Sequence, residues 1–135
     1  MISFSTQNEF ELDNSTSKKQ WIEAVVSDQK LKLGELSFVF CSDEFLHKIN
    51  LEYLNHDTLT DVISFDYSNN GNIEGEIYIS TERVADNAND LSLPFLDELD
   101  RVIIHGVLHF CGHGDKSPEE KEIMRELEDK YLALR

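Results

Sequence analysis

Asp61-Val-Ile-Ser-Phe-Asp-Tyr67 and Ile73-Glu-Gly-Glu-Ile-Tyr-Ile-Ser80, separated by Ser68-Asn-Asn-Gly71 and Asn72, form the stretch on which the fold turns. Both runs are rich in β-branched and aromatic residues, which suit a pleated, half-buried surface. Asn70-Gly71 between them is a tight-turn pair, because both residue types tolerate the positive φ that a two-residue hairpin loop requires. An antiparallel hairpin is therefore expected at the centre of the chain. On its N-terminal side, Leu36, Phe38 and Phe40 alternate with Ser37, Val39 and Cys41, which predicts another strand, and Ile2 to Ser5 alternates as an edge strand would.

Helical spacing surrounds these strands. Trp21, Ile22, Val25 and Val26 recur with helical period from Ser17 to about Gln29, with Ser15, Thr16 or Ser17 available as N-cap. Ser42 or Asp43 opens a helix carrying Phe45, Leu46, Ile49, Tyr53 and Leu54. Thr81 is placed to cap a polar helix through Asn89, and Leu93-Pro94 breaks the chain after it. A helix from Phe95 to Phe110 presents Phe95, Leu99, Val102 or Ile103, and Val107 as its core stripe. The last helix has the clearest start: Ser117 as N-cap, Pro118 at the first helical position, and Glu120 completing a capping box. Ile123, Met124, Leu127 and Tyr131 supply its apolar face. Interspersed helices and strands with an antiparallel hairpin predict an α+β fold, a small mixed β-sheet packed against several helices in one domain over residues 1–135.

Composition narrows the class. At 135 residues with 40% hydrophobic side chains, the chain is long enough to bury one core without disulfide or metal staples. No apolar run approaches the roughly 18 residues that a membrane span needs. Met1-Ile-Ser-Phe-Ser5 has neither a basic nor an apolar signal region, so a cytoplasmic protein is expected. Cys41 and Cys111 are expected to be free thiols serving as small buried hydrophobes. With 27 acidic against 12 basic residues, the net charge of -15 repels any polyanion at long range. Nucleic acid would have to be engaged through a locally positive site or a partner protein, and a bound metal ion is one source of such local charge.

The chemistry concentrates in His105-Gly-Val-Leu-His109-Phe-Cys-Gly112-His-Gly-Asp115. Residues four apart on a helix stand about 40° apart around its axis, so both imidazoles leave one face and can share a metal ion. Gly112 and Gly114 permit the conformations that end the helix and turn the chain back, which brings Asp115 toward the histidines as third ligand. Three protein ligands leave a fourth zinc position open, as in catalytic rather than structural sites. His113 is the competing third ligand, but it shares the face of His105 and His109 only if the helix runs on through Gly112. Cys111 lies about 200° from His109 and belongs to the packed side. His47 and His56 have no ligand at useful spacing and read as surface or capping residues.

This run resembles the metal-binding motif of the bacterial YbeY family: a His-Gly-x-Leu-His-x-x-Gly pattern followed by a third ligand, met here by His105, Gly106, Leu108, His109 and Gly112. The likeness extends upstream. Asn50-Leu-Glu-Tyr53, Thr60-Asp-Val-Ile-Ser-Phe65 and Gly75-Glu-Ile-Tyr-Ile-Ser80 are similar to family segments in the family's order. The resemblance implies a zinc-dependent, single-strand-specific endoribonuclease acting in 16S rRNA 3'-end maturation and ribosome quality control. It further implies one Zn2+ per chain at His105, His109 and Asp115, an RNA substrate, and ribosomal or ribosome-associated protein partners, with no DNA and no membrane. Two departures stand out: most members carry His where this chain has Asp115, and Leu54 occupies the place of an arginine thought to contact RNA.

A general base is not assigned. Asp61, Asp66 and Glu76 lie on the hairpin, where each either reaches the site or is solvated, and the solvated reading is favoured. Two rival functions are weighed. A metalloprotease shares the His, His, Gly, Asp spacing, but the Glu that should follow the first His as general base is replaced by Gly106. A non-catalytic ribosome-associated module, in which metal only orders the region from Phe95 to Asp115, is the other.

Overall fold

The structure, a computed structural model, describes residues 1–54 and 60–135, with the side chain of Leu54 outside that description. His56, and the exchange of the family arginine for Leu54, therefore fall outside the described residues. The elements follow in the order β1 (Ile2–Thr6), α1 (Ser15–Asp28), β2 (Lys32–Cys41), α2 (Asp43–Leu54), β3 (Val62–Asp66), β4 (Asn72–Ser80), α3 (Thr81–Asp90), α4 (Phe95–Phe110) and α5 (Pro118–Leu132).

The strands form one mixed sheet in the order β1-β2-β4-β3. β1 runs parallel to β2, β2 parallel to β4, and β3 antiparallel to β4. The expected hairpin is thus present, and its turn follows from local chemistry. Asn70 and Gly71 both adopt positive φ (51° and 81°), and Asn69 and Asn72 exchange backbone hydrogen bonds around them.

Alternation along the strands sorts side chains onto two faces. Leu36, Phe38 and Phe40 of β2 join Ile73, Ile77 and Ile79 of β4 in the main core, together with Ile22, Val25 and Val26 of α1 and Leu99, Ile103 and Val107 of α4. On the opposite face, Leu46 and Ile49 of α2 pack with Cys41 and Ile63, flanked by Phe65 and Tyr78. The mixed α+β architecture read from the sequence is the one observed. Among the described residues, no helix is long and apolar enough to cross a membrane.

Three local readings are corrected. At α1 the N-cap is Asn14, in a left-handed conformation (φ 59°) and without a side-chain capping bond, so none of Ser15, Thr16 and Ser17 caps it. At α3 the cap is Ser80, whose hydroxyl accepts from the Arg83 amide, and Thr81 is the first helical residue, buried beneath Asn8. On α5, Ile123 is half exposed, while Glu128 turns inward with Met124 and Tyr131. The capping box of α5 is present in full, with Pro118 behind Ser117. Cys41 and Cys111 are free, and burial raises their thiol pKa values to about 12 and about 11.

Candidate metal centre

α4 carries the two histidines, and its placement depends on small residues. A methyl group on Gly106 would stand 3.0 Å from the Ile77 side chain, so the glycine lets α4 lie close against β4. The helix then ends in a Schellman arrangement. Gly112 takes φ 99°, its amide donates to the His109 carbonyl, and the His113 amide donates to that of Leu108. Five residues later the capping box of α5 begins, with the Glu120 carboxylate accepting from the Ser117 amide. The short link between these two fixed ends holds Asp115 beside the last turns of α4.

Three ligand-capable atoms converge as a result. His105 Nε2 and His109 Nε2 stand 2.9 Å apart, and each is 3.4 Å from Asp115 Oδ2. Around a tetrahedral ion with ligands at about 2.0–2.1 Å, neighbouring ligand atoms are separated by about 3.3–3.4 Å, which the two carboxylate distances match. The imidazole rings are nearly perpendicular (83°), an edge-to-face arrangement rather than a stack. The three residues meet the chemistry and spacing of a group that could hold a metal ion. All three are partly exposed, which leaves the cluster open to solvent on one side.

His113 goes elsewhere. Its Nε2 lies 2.7 Å from Gln29 Oε1, and Gln29 in turn donates to the Tyr131 hydroxyl, which ties the ring between α1 and α5. His47 sits within α2, at neither end of it, and Cys111 is half-buried against the main core.

Two residues of this neighbourhood, Glu128 and Arg101, were not anticipated. Glu128 of α5 is buried, with Oε2 at 2.6 Å from His105 Nδ1 and Oε1 accepting from Arg101 Nη1 at 2.8 Å. Arg101 also donates to Asp129 at 2.7 Å. The hydrogen bond with Glu128 raises the His105 pKa against the opposing effect of burial. Burial alone would raise Glu128, but the bonds from His105 and Arg101 hold it below the ordinary glutamate value. The available sequence signal was a carboxylate at an inward position of the α5 stripe, four residues after Met124.

The hairpin carboxylates separate clearly. Asp66 accepts from the Ser68 amide, and Glu76 accepts from the Tyr78 hydroxyl at 2.7 Å on the sheet face that carries α2. Asp61 is partly exposed and borders an open cleft of about 290 Å³ together with Glu98, Arg101, Val102, His105 and Glu128. Burial first, and then the charge of Asp61, raise the pKa of Glu98.

Known proteins share the sequence and the fold of this chain. The family model described as "Endoribonuclease YbeY" matches residues 2–134. A relative of that name from Flavobacterium johnsoniae is 51% identical over 134 residues, covering 99% of this chain and 96% of its own length. One from Christiangramia forsetii is 50% identical, covering 98% of this chain and 93% of its own. A solution structure of a protein from Thermotoga maritima superimposes with a TM-score of 0.72 at 26% identity, over 98% of this chain and 87% of that one. With a family match over nearly the whole chain and relatives at half identity, this chain belongs to the YbeY endoribonuclease family.

Proposed function

We propose that the chain is a cytoplasmic, metal-dependent endoribonuclease that hydrolyses single-stranded RNA, with one zinc ion held by His105, His109 and Asp115. The observation that carries this reading is the convergence of two imidazole nitrogens and a carboxylate oxygen on one open point in a member of this family. Processing of the 3' end of 16S rRNA, ribosome quality control and contact with ribosomal proteins form part of the same proposal.

The donor set suits zinc: two neutral imidazoles and one carboxylate leave room for water and substrate. When bound, the ion supplies Lewis acidity toward a phosphoryl oxygen and acidifies water. His105 and His109 hold their nitrogens on one helical face, and Asp115 closes the triangle from the loop. Asp61 and Glu98 line the adjoining cleft with carboxyl groups, so the positive charge that draws a phosphodiester to the triangle would come from the bound ion. The Arg101 guanidinium is engaged by Glu128 and Asp129 and therefore serves the site's structure rather than long-range attraction of RNA.

Gly106 leaves no carboxylate directly after His105, which removes the proton acceptor that a protease of similar spacing requires. The decisive experiment follows cleavage of a single-stranded RNA by the purified protein, with and without chelator, beside His109→Ala. Cleavage by the wild type, lost on chelation and in a folded His109→Ala protein, is the expected result. Equal cleavage by both proteins would assign the activity to a contaminant and favour a non-catalytic, ribosome-associated metal-binding module.

A further inference from the structure

We propose that Glu128, held in place by Arg101, is a positioning residue that commits Nε2 of His105 to metal binding; this rests on the metal-centre reading above. An ionised carboxylate can only accept hydrogen bonds, so the 2.6 Å contact from Glu128 Oε2 requires a proton on Nδ1 of His105. A neutral imidazole carries one N–H, so with Nδ1 protonated the bare nitrogen is Nε2, the atom that faces His109 and Asp115. Without that partner the two tautomers compete, and the ring is free to rotate away from the ligand triangle.

Glu128 does not hold its own orientation unaided. It is buried, and a buried carboxylate with a single neutral partner is costly. Arg101, one turn before His105 on α4, takes the second oxygen at 2.8 Å and is itself braced by Asp129 at 2.7 Å. The relay from Arg101 through Glu128 to His105 thus ties α4 to α5 and fixes both carboxylate oxygens. Among the described residues, His105 is the member of the triangle with a carboxylate on its second ring nitrogen, so the effect is specific to one ligand. Partners of this kind orient metal-binding histidines and raise their basicity, and their loss typically weakens metal affinity by about 10–100-fold.

The test measures zinc affinity by competition with a chromophoric chelator for the wild type, Glu128→Ala, Glu128→Gln and Arg101→Gln. The melting temperature and the histidine ring 15N shifts of each metal-free protein are recorded alongside. The expected result is an Nδ1–H tautomer at His105 in the wild type, lost in Glu128→Ala together with about 10–100-fold in affinity. Glu128→Gln should lose less, because its amide oxygen still accepts from Nδ1, and Arg101→Gln should weaken zinc binding without touching any ligand. Should Glu128→Ala fail to fold, the near-isosteric Glu128→Gln carries the comparison. A lowered melting temperature with unchanged tautomer and affinity would make Glu128 purely structural and overturn the proposal. Absence of zinc binding by the wild type would instead remove the metal-centre reading, an outcome distinguishable from the first.

Discussion

Gly75→Ala should be among the most damaging single-methyl additions in this chain. Gly75 lies on β4 opposite Asp66, and a Cβ there would stand 2.3 Å from the Phe65 carbonyl oxygen and 2.7–2.8 Å from two ring carbons of Phe110. Ordinary contacts begin near 3.4 Å, so a shift of about an ångström is needed. The first obstacle is backbone in a paired strand, and the second is an aromatic ring in the main core, so neither yields cheaply. Overpacking of this kind costs about 1–3 kcal/mol, and the double clash places Gly75→Ala near the upper end. Taking about 2.1 cal/mol/K of unfolding entropy per residue, about 3 kcal/mol lowers Tm by roughly 11 °C. Gly71→Ala is the control. Its Cβ has a nearest neighbour at 3.9 Å, and its φ of 81° is the only penalty, about 1 kcal/mol or roughly 4 °C. Thermal unfolding of the metal-free proteins, followed by circular dichroism, measures both. Because Phe110 directly follows His109, Gly75→Ala should also weaken zinc binding, whereas Gly71→Ala should not. A Gly75→Ala melting point above that of Gly71→Ala would refute the steric reasoning.

Two further outcomes are expected. Asp115→His exchanges a charged ligand for a neutral one, which should acidify the water at the metal and move the acid limb of RNA cleavage to lower pH; an unchanged or alkaline-shifted pH–rate profile would count against Asp115 as ligand. Glu98, whose pKa is raised by burial and by Asp61, binds its proton more tightly when folded. Its contribution to stability is therefore full below the ordinary glutamate pKa and is lost as pH rises through the folded value. Glu98→Gln lacks that loss, so it should melt higher than the wild type at about pH 7 and no higher at about pH 4; a Tm difference independent of pH would contradict this.

What the sequence disclosed was mostly local. The Asn70-Gly71 turn and the Ser117-Pro118-Glu120 start of α5 were legible because backbone conformation and capping depend on a few adjacent residues. The α4 boundaries were legible for a similar reason, with Pro94 before the helix and Gly112 after it. Parallel pairing of β2 with both β1 and β4 was not legible, since nothing in the pattern of either strand says which neighbour lies across the crossover. Capping residues at α1 and α3 were misjudged by one position or more, where several hydroxyl or amide side chains compete for one role. At the site, spacing on one helix and one turn was enough to expect that His105, His109 and Asp115 meet, as they do. Glu128 and Arg101 escaped because their meeting depends on how α5 packs against α4, and which of the hairpin carboxylates borders the cleft depends on the path of the chain just before β3, 44 residues from His105.

In the proposed metal centre, His105, His109 and Asp115 together hold one metal ion. Anomalous diffraction at the zinc edge, from crystals of the zinc-loaded protein, tests it most directly. One peak per chain is predicted, at about 2.0–2.2 Å from Nε2 of His105, Nε2 of His109 and a carboxylate oxygen of Asp115. A peak coordinated by His113 in place of Asp115, or no peak at this triangle, would contradict it.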